Sequence, residues 1–236
     1  MQNDRYGVAK SGTKTVDAGL QSYMQRVYNV MALGLVFTGA ISYFVAATPA
    51  FIAAVQGTFL GLIVALAPLG IIFFGLNPRK IQGMSVGAVT GLYFLLTGLF
   101  GVSLSYIFLV YSSESIARVF FITAGMFAAT SIYGYTTKKD LTSLGSLMFM
   151  GLIGIIIAGV VNIFLHSAML HFVTSAIGVV VFTGLTAWDT QRIKETYHVS
   201  YGRDALNKIA VMGALSLYLD FINLFVMMLR LFGGRD

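Results

Sequence analysis

Seven apolar runs divide this chain, and each is long enough to cross a membrane: Val27–Ala47, Ile52–Leu76, Met84–Val110, Ile116–Thr136, Leu141–Leu165, Phe172–Thr190 and Ile209–Phe232. A hydrocarbon core about 30 Å thick takes roughly 20 residues at about 1.5 Å of helical rise each. Inside it every backbone N–H and C=O must find a partner within the protein, which leaves the helix as the natural spanning form for such runs. The pattern predicts an all-α integral membrane protein with seven transmembrane helices. Most connections are short, so helices consecutive in sequence should be antiparallel neighbours. The third run is long enough to tilt or break.

The remaining residues agree with that reading. Charged residues are 10% of the chain and hydrophobic ones 57%, where soluble domains carry about 25% charged residues. No soluble domain fits between the runs. Residues 1–26 are polar and lack the apolar core of a signal peptide, so they are expected to form a mobile N-terminal cytoplasmic arm, its last part an interfacial helix. Residues 27–232 form the transmembrane domain, and 233–236 a short C-terminal tail. With no cysteine in the chain, disulfides, thiolate metal sites and a cysteine nucleophile are excluded.

The net charge of +6 does not point to nucleic acid, because the basic residues follow the membrane topology. With the N-terminus inside, twelve Lys and Arg fall on the inner side, and only Arg118, Arg230 and Arg235 on the outer. The asymmetry places the N-terminus in the cytoplasm and the C-terminus outside, and gives the inner surface an attraction for anionic lipid headgroups. The small-residue pairs Gly57/Gly61 and Gly87/Gly91 are candidates for close helix crossings.

Of the nine acids, seven fall in tails, loops or run ends, and two belong to the spans. Asp220 lies eleven residues into the seventh run, near the bilayer midplane. A carboxylate at that depth costs several kcal/mol unless it is paired, hydrated or protonated, and such residues are usually functional. Gly213, Ser216, Asp220, Asn223 and Met227 share one face at helical spacing, so that face should be covered by other helices.

Asp189 closes the sixth run in Asp189-Thr190-Gln191-Arg192-Ile193-Lys194. Residues equidistant from the turn of an antiparallel hairpin meet at one depth, and the midpoint between Asp189 and Asp220 falls at about Asp204, beside the turn residue Gly202. If the sixth helix continues to about Tyr197, the two carboxyls meet. Two carboxyls in contact in a poorly hydrated site share a proton and titrate as a unit. Such a pair suits a proton sensor, a weak divalent-cation site or an aspartic dyad. Ser216 and Asn223 are accessory polar groups on the same face. His166 and His171 flank one outer loop, where interfacial solvation is the ordinary reading.

The run Leu217-Tyr218-Leu219-Asp220-Phe221-Ile222-Asn223-Leu224-Phe225, the Asp189–Lys194 stretch, the loop Gly134-Tyr135-Thr136-Thr137-Lys138-Lys139-Asp140-Leu141, and Val161-Asn162-Ile163-Phe164 together resemble the Bax inhibitor-1 family, with the short loops of its bacterial branch. The resemblance covers roughly residues 20–232 and implies two three-helix layers around a central seventh helix. It implies a pH-sensitive calcium leak across the cell membrane, gated by Asp189 and Asp220, with Ca2+ and H+ as the ions handled and no cofactor. It also implies a basic latch at the inner end of the second helix, for which Arg79 is the candidate.

Two other readings stand beside this one. In the first, the chain is a non-conducting regulator that binds a membrane protease or another membrane protein. The second is an intramembrane aspartyl protease. It is disfavoured because Asp220 follows Leu-Tyr-Leu rather than Gly-x-Gly and no Pro-Ala-Leu motif is present, so no enzymatic activity is expected.

Overall fold

The structure is a computed structural model that describes residues 3–55, 58–76 and 78–234, with the side chains of residues 3–17, 55, 60, 62, 65, 73, 74, 78 and 79 outside the description. Every regular element among the described residues is a helix. In chain order they are α1 (Asn3–Ala46), α2 (Pro49–Val55), α3 (Phe59–Gly70), α4 (Pro78–Gly83), α5 (Val86–Leu104), α6 (Ile107–Val110), α7 (Ser113–Thr136), α8 (Thr142–Leu165), α9 (Ala168–Thr196) and α10 (Arg203–Phe232).

Six of these helices are long and apolar enough to span on their own. The expected second span, Ile52–Leu76, is built in pieces. Here α3 contains Pro68, which has no N–H to continue the ladder, and it passes into a π-helical stretch over Ile71–Gly75. The third run breaks as its length suggested, with α5 ending at Leu104 and the short α6 following at Ile107. The polar arm is not separate from the first span. Helix α1 runs through both, and Tyr23 and Met24, ahead of the expected boundary at Val27, are buried.

Helices α1, α3 and α5 pack together on one side of α10, and α7, α8 and α9 on the other. Helix α10 touches α1, α5, α7 and α9, and fifteen of its residues are buried. Its apolar and aromatic side chains explain the central place. Tyr218 lies edge-on to Tyr93 and Phe100, and Phe221 lies edge-on to Phe120 and Phe127. The Thr38 hydroxyl donates to the Thr97 carbonyl at 2.8 Å, which leaves it to accept from the Tyr218 hydroxyl, also at 2.8 Å. These bonds tie α1, α5 and α10 together.

The expected pair Gly87/Gly91 does not mark a close helix crossing, and the pair Gly57/Gly61 reaches outside the described residues. Gly57 is outside the described residues, and a Cβ added to Gly91 would meet nothing within 4 Å. The backbone approaches are at Gly134, where a Cβ would run into the Ala187 carbonyl, and at Gly101, where it would sit 2.9 Å from the Thr38 carbonyl oxygen. A four-residue spacing of small residues marks a crossing only if that stripe faces a helix, and Gly91 faces open space.

Candidate functional site

The site is built on the α9–α10 hairpin. Antiparallel packing sets Gly178 against Met227 and Ile193 against Gly213, so Asp189 and Asp220 come to the same level between them. The two side chains lie close enough to interact directly. A carboxylate has no hydrogen to donate, so a hydrogen bond between the two would require one of them to carry a proton. The sixth span extends beyond its apolar run, as the pairing required: α9 continues to Thr196 and is capped at Tyr197.

The two carboxyls have unequal surroundings. Asp220 is 5% exposed, and its Oδ2 has no hydrogen-bond partner among the described residues. Asp189 is half-buried and lines a cavity of about 650 Å³ at the hairpin end of the bundle. The cavity is walled by α9 and α10, with Tyr23 from α1 and Ile81 and Gln82 from α4. Ser216, one turn before Asp220, lines the same cavity, so the structure brings it to the pair. Asn223 is placed differently: its amide nitrogen donates to the Leu219 carbonyl of its own helix at 2.7 Å. That bond satisfies the backbone in a low-dielectric setting and commits the side-chain nitrogen away from the pair.

The Arg79 side chain lies outside the described residues, so the latch expected there has no geometry to report. The described cation acting on Asp189 is Arg192, one turn further along α9. Its guanidinium also stacks over the Trp188 ring, 5.3 Å from the centroid. Among the described residues no three His, Cys, Asp or Glu side chains gather where they could hold a metal ion. Two carboxyls and a hydroxyl are too few oxygens for a tight calcium site, though they suit weak contact with a passing cation. His166 adopts a left-handed conformation at the C-terminus of α8, and its amide caps the Asn162 carbonyl.

The rest of the Asp189–Lys194 stretch fastens α9 to its neighbours, which the sequence alone did not reveal. The Thr190 hydroxyl is 2.9 Å from Ser131 Oγ on α7, and Ser131 is 2.6 Å from the Tyr28 hydroxyl on α1. The buried Gln191 accepts from the Leu141 amide and donates to the Lys139 carbonyl, both at 2.8 Å. Lys194 Nζ donates to the Tyr135 carbonyl at 2.8 Å and lies over the Tyr135 ring. The stretch Asp189–Lys194 and the loop 134–141, far apart in sequence, are therefore the two sides of one junction. The available signal was the pairing of a polar helix end with a polar loop, which does not say which group meets which.

Comparison with known proteins matches residues 20–236 to the family model described as "Inhibitor of apoptosis-promoting Bax1". The inner membrane protein YbhL of Escherichia coli K12 is 46% identical over 223 residues, covering 92% of this chain and 94% of that protein. A Caulobacter vibrioides protein is 46% identical over 232 residues, covering 94% of this chain and 92% of its own length. A Streptococcus pyogenes membrane protein is 32% identical over 229 residues, covering 93% of this chain and 96% of its own length. The matched region takes in the helices that surround α10 and both carboxyl-bearing stretches, and on that ground the chain belongs to the Bax inhibitor-1 family of multi-pass membrane proteins.

Proposed function

We propose that this protein is a pH-sensitive calcium leak pathway in the cell membrane, and that the Asp189/Asp220 pair is its proton sensor and gate. The observation that carries the reading is a pair of neighbouring carboxyls, one 5% exposed and the other lining a cavity at the hairpin end of the bundle. With one proton the pair straps α9 to α10. Without it, two like charges meet in a poorly hydrated place and repel, unless a cation takes the proton's position. Calcium is the fitting cation because it accepts carboxylate and hydroxyl oxygens in loose geometry, and Ser216 supplies the hydroxyl. Nothing in the reading calls for covalent chemistry, so the protein is proposed to transport and not to catalyse.

Purified protein in liposomes tests this by calcium-dye influx between about pH 5 and pH 8. Flux should follow one coupled transition, and the double variant Asp189→Asn/Asp220→Asn should flatten it. A double variant that kept the wild-type pH profile would remove the pair from gating, whereas wild-type protein giving no influx at any pH would favour the non-conducting regulator. The proposed orientation puts the N-terminus in the cytoplasm and the hairpin end on that side, following the basic residues. Reporter fusions at both termini check it, and a cytoplasmic signal from a tag after Asp236 would overturn it.

A further inference from the structure

We infer that Gln191 and Lys208 are positioning residues for the carboxyl pair, each fixing one of its two helices to a different half of the bundle. The inference rests on the pair being the sensor and deepens that reading. On α9, Gln191 is 6% exposed and uses both ends of its amide on the α7–α8 connection, accepting from Leu141 N and donating to Lys139 O. A buried amide satisfied at both ends is a rigid two-point clamp, and losing either bond would strand a desolvated group. It sits two residues after Asp189, so it fixes the rotation and depth of that part of α9 relative to α7 and α8. Lys194 reinforces the clamp one turn later through the Tyr135 carbonyl.

On α10 the matching contact goes the other way. Lys208 Nζ donates to Gln82 O at 3.0 Å and to Met84 O at 3.3 Å, carbonyls at the end of α4 and the approach to α5. Helix C-termini leave carbonyls without intrahelical partners, and an ammonium is a strong partner for them. Ten residues further on, the Tyr218–Thr38 bond repeats the attachment to the same half. By these hydrogen bonds Asp189 belongs to a helix tied to the α7–α8 connection, and Asp220 to one tied to α1 and the end of α4, while apolar packing joins α10 to α7 as well. The carboxyl pair lies between these two sets of attachments, so relative movement of the helices changes its separation.

Among the described side chains the charges around the pair are few, and Lys80 on α4 is exposed. Arg192 faces Asp189 from its own helix. Helices α5 and α8 carry no charged residue, the charged residues of α7 are Glu114 and Arg118 at its opposite end, and Arg26 on α1 is exposed. Lys208 lies three turns before Asp220 and is occupied by carbonyls. The two positioning residues are thus expected to act through geometry and not through added charge.

The test uses the full chain in liposomes, with two readouts taken together: calcium influx against pH, and the infrared carbonyl band of protonated carboxyl, assigned by its loss in Asp189→Asn/Asp220→Asn. Gln191→Met keeps the stem and removes both hydrogen bonds. Lys208→Met does the same for the other helix at a partly exposed position where misfolding is not a concern. Each should move the midpoint of the band by at least about half a pH unit, about a threefold change in proton affinity. Lys208→Arg, which restores the donor, should return it to the wild-type position. In the Asp189→Asn background neither change should alter the influx profile. Midpoints unchanged in both Met variants would overturn the positioning role even if influx remained pH-dependent. A moving band with no calcium influx would instead remove the leak reading and leave the positioning role in place.

Discussion

Helices α8 and α10 are both long apolar spans, yet they occupy opposite environments. In α8 the only buried residue among those described is Gly145, whereas α10 buries fifteen, including Asp220. The far half of α8 presents Ile163 and Phe164, 66% and 79% exposed, and the middle of α10 presents nothing of the kind. The more hydrophobic of the two spans is the outer one. In water the ranking would be reversed, but lipid tails are as apolar as leucine, so hydrophobicity places a helix in the membrane without placing it in the bundle. What draws α10 inward is its polar and aromatic complement. Asp220 needs a partner, Tyr218 needs the Thr38 hydroxyl, and the rings pack edge to face.

The contrast can be broken by substitution, most severely in the core. Leu217→Ala on α10 removes a fully buried side chain and should cost roughly 3 kcal/mol in reversible unfolding from detergent, through the cavity it leaves. Ile157→Ala on α8, 59% exposed, should cost under about 0.5 kcal/mol. Equal losses would mean that α8 is covered by something absent here. Next in size is Gly134→Ala, whose new methyl meets the Ala187 carbonyl, a backbone atom that cannot turn aside; about 2 kcal/mol is expected. Gly154→Ala on α8, with nothing within 4 Å, should stay within about 0.5 kcal/mol of wild type in the same unfolding measurement.

The smallest effect separates the acids that accompany the two helices. Asp140, just before α8, is exposed; bonds from the Thr142 hydroxyl and amide, the latter at 2.8 Å, hold its carboxyl below the usual carboxylate range. A depressed value means that any stability it contributes is present above the unfolded value and is lost only as pH falls through the folded one, below the range of the flux assay. Asp140→Asn should therefore leave the influx profile between about pH 5 and pH 8 unchanged. A profile altered by this variant would show that an exposed carboxylate contributes to sensing and would weaken the assignment to Asp220 and its partner.

Much of the site was legible before the fold. An acid in mid-span is conspicuous, and the equal spacing of Asp189 and Asp220 from the turn predicts a meeting that the hairpin makes. Ser216 was on the right face and reaches the cavity, while Asn223 shares the face but binds its own backbone. Periodicity gives the direction of a Cα–Cβ bond and says nothing about whether a longer amide folds back on the helix. The break in the second span was not anticipated either, although Pro68 lay in plain view, because the expected effect of one proline in a membrane helix depends on which neighbours satisfy the freed carbonyls.

What the sequence determined by itself is what a short stretch of chain settles with its solvent: membrane-spanning helices from the length of apolar runs, and a carboxyl within one of them that calls for a partner. The tertiary structure decided what depends on which helix faces which. It put α10 at the centre and α8 at the edge, gave Gly134 and not Gly91 the close crossing, and joined Gln191 to the α7–α8 connection and Lys208 to the end of α4. In a bilayer the medium does not distinguish an inner apolar helix from an outer one. That choice falls to packing and to a few hydrogen bonds between residues far apart in the chain, and a linear sequence does not record which of them meet.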